Sequence, residues 1–242
     1  GGIANYGAAI PGVLNTHSLY CIEFTDGTKH LIAAGTTAAD TSIFEFDETT
    51  MTWSAIKTGL TKDLRLCFVT FKNVIYWTNG TDNVMSYDGT TVTEHAGVEK
   101  GKYLVVFNDV AYMGCIINDK SVVYYTNANP ADLTSFPNYV VIEEDNGQII
   151  TGLNFQSGLL LVGKEKSMYS YDVVGDVVEI LDYSGGVASH RSWRIVENDS
   201  MYLNNRGVFS LVQRKGTTGS LRNLALTNNL QMVITSQTNR VL

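Results

Sequence analysis

Charged residues are scarce here: Asp, Glu, Lys and Arg make up 17% of 242 residues, against 44% apolar ones. Such a chain can bury enough surface to offset its ordering entropy, which excludes extended disorder. Basic residues are scarcer still, 17 against 24 acidic ones, for a formal net charge of −7 and a pI near 5.0. Gripping nucleic acid through its phosphates needs clustered Lys and Arg, and no such cluster occurs. Apolar runs are short, as in Leu159 to Val162, far below the roughly 20 residues of a spanning helix, so membrane insertion is not expected. Three cysteines, Cys21, Cys67 and Cys115, lie far apart in strand-like runs. An odd count makes no disulfide framework, and they read as three buried thiols acting as small apolar side chains. The leading Gly1-Gly2-Ile3-Ala4-Asn5 shows neither a charged leader nor an apolar stretch, so no secretory signal is expected, and the missing Met points to a fragment or a processed form.

Reactive signatures are missing as well. The histidines His17, His30, His95 and His190 are scattered, with no i,i+2 or i,i+4 pair and no neighbouring Cys ligand. That spacing does not make a zinc site, and surface or turn positions are the plain reading. Gly158 to Lys164 matches the G-x-x-x-x-G-K spacing, but its four intervening residues form an apolar run and Glu165 stands where Ser or Thr should hold the metal. A strand there cannot cradle a phosphate. No G-x-S-x-G elbow supports a Ser-His-Asp group. The densest acidic cluster, Glu143-Glu144-Asp145, is the place a glycosidase carboxylate pair would sit, although a solvated acidic loop is the plainer reading. Asp47 to Trp53 faintly matches the Asp-box turn of sialidases, which is itself structural. The expectation is a non-enzyme with no catalytic, metal or cofactor-binding residues.

What the sequence does have is internal repetition. Five segments share an apolar strand, a short polar turn, a second apolar strand, a gap, and a third strand of alternating pattern ending in an aromatic or Leu. The third strands align as Ser42–Asp47, Asn83–Asp88, Ser121–Thr126, Ser167–Asp172 and Gly207–Val212. Markers Phe46, Tyr87, Tyr125, Tyr171 and Leu211 are spaced by 41, 38, 46 and 40 residues. Hairpin turns are expected at Asp26-Gly27, Lys72-Asn73, Asn108-Asp109, Ser157-Gly158 and Asn198-Asp199, since most of these residues tolerate positive φ. A fourth strand follows the marker in the first two units, and in the third a Pro-containing loop from Asn127 to Pro137 precedes Tyr139 to Ile142. Four antiparallel strands at this period describe a β-propeller blade, which hides its faces only by stacking on neighbours. The competing architecture is a β-sandwich.

The fold class expected is therefore all-β, a propeller-like repeat of four-stranded antiparallel blades, with closure by residues outside the sequence left open. The boundaries are a leading segment 1–17, a propeller at 18–212 with units near 18–58, 64–97, 102–143, 147–182 and 187–212, and a C-terminal extension at 213–242. Within the extension, Leu226, Leu230 and Val233 fall on one face of a short helix over Leu224 to Gln237.

The stretches Leu19–Trp53, Ser121–Asp132 with its Tyr-Thr-Asn-x-x-Asn-Pro run, Gly147–Tyr171, and Gly185–His190 through Asn204-Asn205-Arg206-Gly207-Val208 resemble the tail-nozzle, or packaged-DNA stabilisation, proteins of short-tailed phages. That resemblance covers most of the chain through blade turns and strands rather than a reactive signature. It implies a virion component of the tail or neck, made in the host cytoplasm. It also implies a homo-oligomeric ring along a DNA channel, docked to portal, adaptor or tail-fibre proteins and in passive contact with passing DNA. An acidic wall would repel phosphates and let the genome slide. Docking is expected on loops, first at Asn127, Asn129, Pro130, Phe136 and Pro137, then at His190, Arg191 and Trp193, then in Lys215 to Leu242. The alternative is a carbohydrate- or host-receptor-binding propeller that stacks sugars on Tyr112, Tyr139 or Trp193.

Overall fold

The computed structural model describes residues 7–183, 185–197, 199–213 and 221–225. Five sheets follow one another along the chain, each of four antiparallel strands joined in sequence order. The first holds β1 (Asn15–Glu23), β2 (Lys29–Thr36), β3 (Thr41–Asp47) and β4 (Thr52–Leu60). The second holds β5 (Cys67–Phe71), β6 (Val74–Thr78), β7 (Val84–Tyr87) and β8 (Val92–His95). The third holds β9 (Gly101–Phe107), β10 (Val110–Ile116), β11 (Val122–Tyr125) and β12 (Asn138–Val141). The fourth holds β13 (Ile150–Gln156), β14 (Leu159–Lys164), β15 (Met168–Asp172) and β16 (Val177–Asp182). The fifth holds β17 (Arg194–Val196), β18 (Asp199–Asn204), β19 (Gly207–Gln213) and β20 (Leu221–Ala225). Among the described residues the only helical pieces are single 3₁₀ turns at Glu144–Asn146 and His190–Ser192, and no helix is long and apolar enough to cross a membrane.

Three of the five hairpin turns lie where the residue types placed them, with left-handed backbone at both central positions: Lys72 and Asn73 (φ 48° and 60°), Asn108 and Asp109 (48° and 56°), and Ser157 and Gly158 (54° and 83°). That backbone matches the right-handed twist of the flanking strands. The Asp26-Gly27 turn is longer, Phe24 to Thr28, and Asp26 Oδ1 accepts the Thr28 amide at 2.8 Å. In the fifth sheet the turn lies one residue before the expected Asn198-Asp199. Val196 pairs Asp199, so Asp199 opens β18 and Glu197 (φ 58°) takes the left-handed position, while Asn198 lies outside the described residues. Ser200 and Tyr202 set this register: a one-residue slip would turn both out of the core.

Further corrections concern the ends. The repeat runs to Ala225 instead of stopping at 212, because β20 pairs with β19 through Leu224↔Ser210 and Ala225↔Phe209. An open strand edge offers the backbone a ladder of partners that a short, weakly amphipathic helix cannot match. Leu224 and Ala225 are thus strand, and the rest of the expected helix, 226–237, lies outside the described residues. Fourth strands complete all five sheets. Of the cysteines, Cys21 is exposed and Cys67 and Cys115 are half-buried, so none is the fully buried thiol expected.

The described residues divide into two compact units, those within 1–117 and 125–138 forming one, and those within 118–124 and 139–225 the other. In the first unit the sheets pack face to face. Ile32, Ala34 and Ile43 of the first sheet meet Ile75, Trp77, Met85 and Tyr87 of the second. The other face of the second sheet, through Tyr76 and Val84, meets Leu104, Ala111 and Met113 of the third. Strand β6 shows the principle, since Ile75 and Trp77 enter one cluster and Tyr76 the other, so both faces of the sheet are buried. In the second unit Leu161 and Met168 of the fourth sheet pack on Tyr202 and Leu211 of the fifth, with Val187 and Trp193 between.

Candidate functional site

Because successive strands reverse, the first-to-second and third-to-fourth connections of each sheet emerge at the same end. In the first unit these connections are bonded across sheets. The Thr25 amide donates to Asn73 Oδ1 at 3.0 Å, and Asn73 Nδ2 returns a bond to Thr25 Oγ1. Lys72, on the same turn as Asn73, donates to Asn129 Oδ1 at 2.9 Å and to the Pro130 carbonyl at 2.6 Å. The Asn129 amide donates to the Asp109 carbonyl at 3.0 Å. A run of contacts therefore links the loops of three consecutive sheets.

The Asn127 to Pro137 insertion is fastened from below as well. Leu133 is fully buried in the cluster of the second and third sheets, where Phe136 also packs, and the Leu133 amide lies 3.5 Å from the Tyr76 hydroxyl. Asn138 Nδ2 donates to Asn127 Oδ1 at 3.0 Å and draws the loop's ends together. Asp132 Oδ1 accepts the Thr134 amide at 3.1 Å and stiffens the tip. Of the expected docking residues, Asn127, Asn129 and Pro137 are exposed, and Pro130 and Phe136 are half-buried. Phe136 is thus mainly an anchor.

This end is acidic. It carries Asp26, Asp47, Glu48, Asp88, Asp109 and Asp132, against Lys72 and Lys29. Backbone amides hold three of these carboxyls below the usual range: Thr28 for Asp26, Thr49 for Asp47 and Thr91 for Asp88. Their charge persists into mild acid. At the opposite end of the unit, Lys62, Arg65 and Lys100 are interspersed with Asp40, Asp63, Asp82 and Glu99, and the signs mix.

Between the Phe24–Thr28 and Glu48–Met51 connections lies a cavity of about 550 Å³, lined among others by Thr28, His30, Glu45, Asp47, Glu48 and Ser54. Glu45 is held from two sides: His30 Nδ1 lies 2.5 Å from Oε1, and the Tyr87 hydroxyl donates to Oε2 at 2.5 Å. Burial and the adjoining Glu45 carboxylate push the Tyr87 hydroxyl's pKa well up, so it stays a donor. His30 is 4% exposed and lies against Phe24, ring centroids 4.3 Å apart, so it is not the surface histidine expected. Sequence reasoning missed this trio, whose members are separated by 15 and 42 residues and follow no motif.

In the second unit, Lys164 is fully buried. Its Nζ donates to Ser121 Oγ (3.0 Å), the Glu143 carbonyl (2.8 Å) and Asn146 Oδ1 (3.2 Å). Burial lowers its pKa. The near-match to a phosphate loop is therefore the buried end of β14. The Glu143 carboxylate accepts from the Tyr169 hydroxyl and from Asn146 Nδ2, an arrangement that fastens the 143–147 loop.

His190 and Arg191 sit on the 3₁₀ turn, His190 half-buried and Arg191 exposed. Trp193 is 2% exposed and donates through Nε1 to Ser200 Oγ, which corrects both its docking role and its role as a sugar platform. Tyr112 is likewise buried, stacked on Tyr125, whereas Tyr139 is 63% exposed. Among the described residues no three His, Cys, Asp or Glu side chains gather in a way that could hold a metal ion.

No protein-family model matches the chain, and no curated protein matches it in sequence. Solved structures match in fold. BamB from Moraxella catarrhalis aligns with a TM-score of 0.51 at 10% identity, over 83% of this chain and 59% of its own. Sqt1 from Saccharomyces cerevisiae gives 0.51 at 11%, over 79% and 57%. Both are β-propellers. The chain has a β-propeller-like fold. The extracellular domain of a hybrid two component system from B. thetaiotaomicron gives 0.55 at 8%, over 93% and 35%. The chain thus spans about a third to three fifths of the length of these structures, and its sheets are blades.

Proposed function

We propose that the chain is a non-catalytic docking propeller and a structural component of a bacteriophage particle, in the tail nozzle or neck, where copies ring the DNA channel and receive other tail proteins. The observation that carries docking is the bonded loop end of the first unit. Loops already fixed by Thr25–Asn73, Lys72–Asn129 and the buried Leu133 bind a partner without the ordering cost that free loops incur. A structural role for Glu143, whose carboxylate is engaged by Tyr169 and Asn146, supports the non-enzyme reading. The phage assignment is supported by the sequence resemblance of the blade turns, and the acidic loop end agrees with a surface that does not grip DNA.

Native mass measurement of the purified chain tests the ring. A single closed oligomer is expected, and a monomer at all concentrations up to the highest soluble one overturns the ring. The second reading, a carbohydrate-binding propeller, rests on Tyr139, whose exposed ring lies 6.0 Å from that of Tyr124. A glycan array separates the two: specific binding lost on Tyr139→Ala favours the sugar site, and silence favours the docking propeller.

A further inference from the structure

We propose that the cavity of the first blade is a socket for a basic side chain of a partner protein, with Glu45 as its anionic floor. The inference rests on the docking reading and names the chemistry of the partner. The cavity volume of about 550 Å³ falls within the roughly 300–1,000 Å³ of small-molecule sites, ample for a guanidinium or ammonium group with its methylenes. Glu45 is 22% exposed at its side chain, so its charge is partly shielded from water yet reachable. His30 and Tyr87 each engage one of its oxygens and fix the carboxylate plane, and every carboxylate oxygen keeps a further lone pair for an incoming N–H.

The walls agree in sign and type. Asp47 and Glu48 stand at the rim, and Thr28, Thr49 and Ser54 add hydroxyl acceptors. Lys29, the one cation in the lining, lies 3.9 Å from Glu23 Oε2 on the neighbouring strand. His30, 5% exposed at its side chain, forms part of the wall, and its ring is held against Phe24 while Nδ1 engages Glu45. An anion is disfavoured by the rim. A sugar would want an exposed aromatic, and Phe46 is buried at 4%. A partly desolvated carboxylate attracts a cation more strongly than one in open water, and the acidic loop end around it steers such a partner in.

The test is an amide-shift titration of the whole chain with N-acetyl-arginine amide, using N-acetyl-norleucine amide as the uncharged control. Saturable shifts at Gly27, Thr28 and Thr49 are expected, with an affinity on the order of millimolar. Glu45→Gln should weaken binding at least tenfold, Glu48→Gln several-fold, and Asp132→Asn, outside the socket, should leave it unchanged. Should Glu45→Gln fail to fold, the contrast between Glu48→Gln and Asp132→Asn decides alone. Equal loss in Glu48→Gln and Asp132→Asn, or shifts spread evenly over the acidic loops, would show general attraction and overturn the socket. A chain that forms its ring but ignores the arginine probe loses the socket and keeps the docking reading. A chain that binds the probe but never assembles keeps the socket and loses the ring.

Discussion

Lys72 leaves a left-handed turn of the second blade and holds Asn129 and Pro130 of the third, at 2.9 and 2.6 Å. A lysine with φ of 48° is uncommon, because the left-handed region is disfavoured for residues with a β-carbon. The backbone of the hairpin demands that conformation, and the side chain is placed to reach the insertion.

Lys72→Ala should therefore loosen the insertion without unfolding the blade. Charge-assisted hydrogen bonds of this kind contribute about 1.5–3 kcal/mol when sheltered and less in water, and both partners here are exposed. A stability loss of about 1 kcal/mol is expected in urea, together with faster amide exchange confined to residues 127–137. Exchange that stays at wild-type rates there would remove the pre-organisation on which the docking reading stands.

Lys164 makes the larger difference. Removing it leaves the buried Ser121 hydroxyl and the partly buried Glu143 carbonyl and Asn146 Oδ1 without their donor, and losses of this kind cost about 1–3 kcal/mol each where the group is buried. Lys164→Met fills the same space but donates nothing, so it should cost at least about 2 kcal/mol in urea unfolding. A neutral Lys164→Met would mean that packing alone holds the 143–147 loop.

Trp193 lies over two glycines. Gly152 and Gly163 are register partners in β13 and β14, and a β-carbon on either would meet the Trp193 ring at 3.3 and 3.1 Å. Trp193→Ala should cost about 3–5 kcal/mol of stability. Gly163→Ala should also destabilise, by about 1–3 kcal/mol, because its β-carbon would come within 2.6 Å of Val187. Thermal unfolding measures both. A Trp193→Ala chain of unchanged Tm would return this residue to the surface.

The glycine pair shows what the sequence makes legible and what it hides. The third strand of a blade is readable because a strand buried on both faces is a short run rich in β-branched and aromatic residues bounded by turn residues, as in Ser42–Asp47 and Asn83–Asp88. Two-residue turns are readable because few residues accept positive φ. Trp193 is hidden because it sits in an irregular connection, and its burial depends on two glycines 30 and 41 residues earlier. Strand β20 is hidden because an edge partner, not local propensity, makes it a strand. Lys164, His30 and Glu45 are hidden because nothing local marks a polar residue as buried; the partners that permit it come from other strands and blades.

His190 gives a pH test with a definite sign. Burial, then Arg194 and Arg191, lower its pKa from 6.5 to about 4, and Nδ1 accepts the Leu153 amide at 3.3 Å. The folded chain keeps this ring neutral, whereas the unfolded chain protonates it near its ordinary pKa. Between these values the unfolded state binds more protons, so stability falls as pH drops from about 6.5 to about 4 and levels off below. The full shift corresponds to at most about 3 kcal/mol. Urea midpoints should decline across that window, and His190→Gln, which cannot titrate but can still accept the Leu153 amide, should flatten the decline. An equal decline in the variant would assign the acid sensitivity to other groups and leave the ring of His190 open to water.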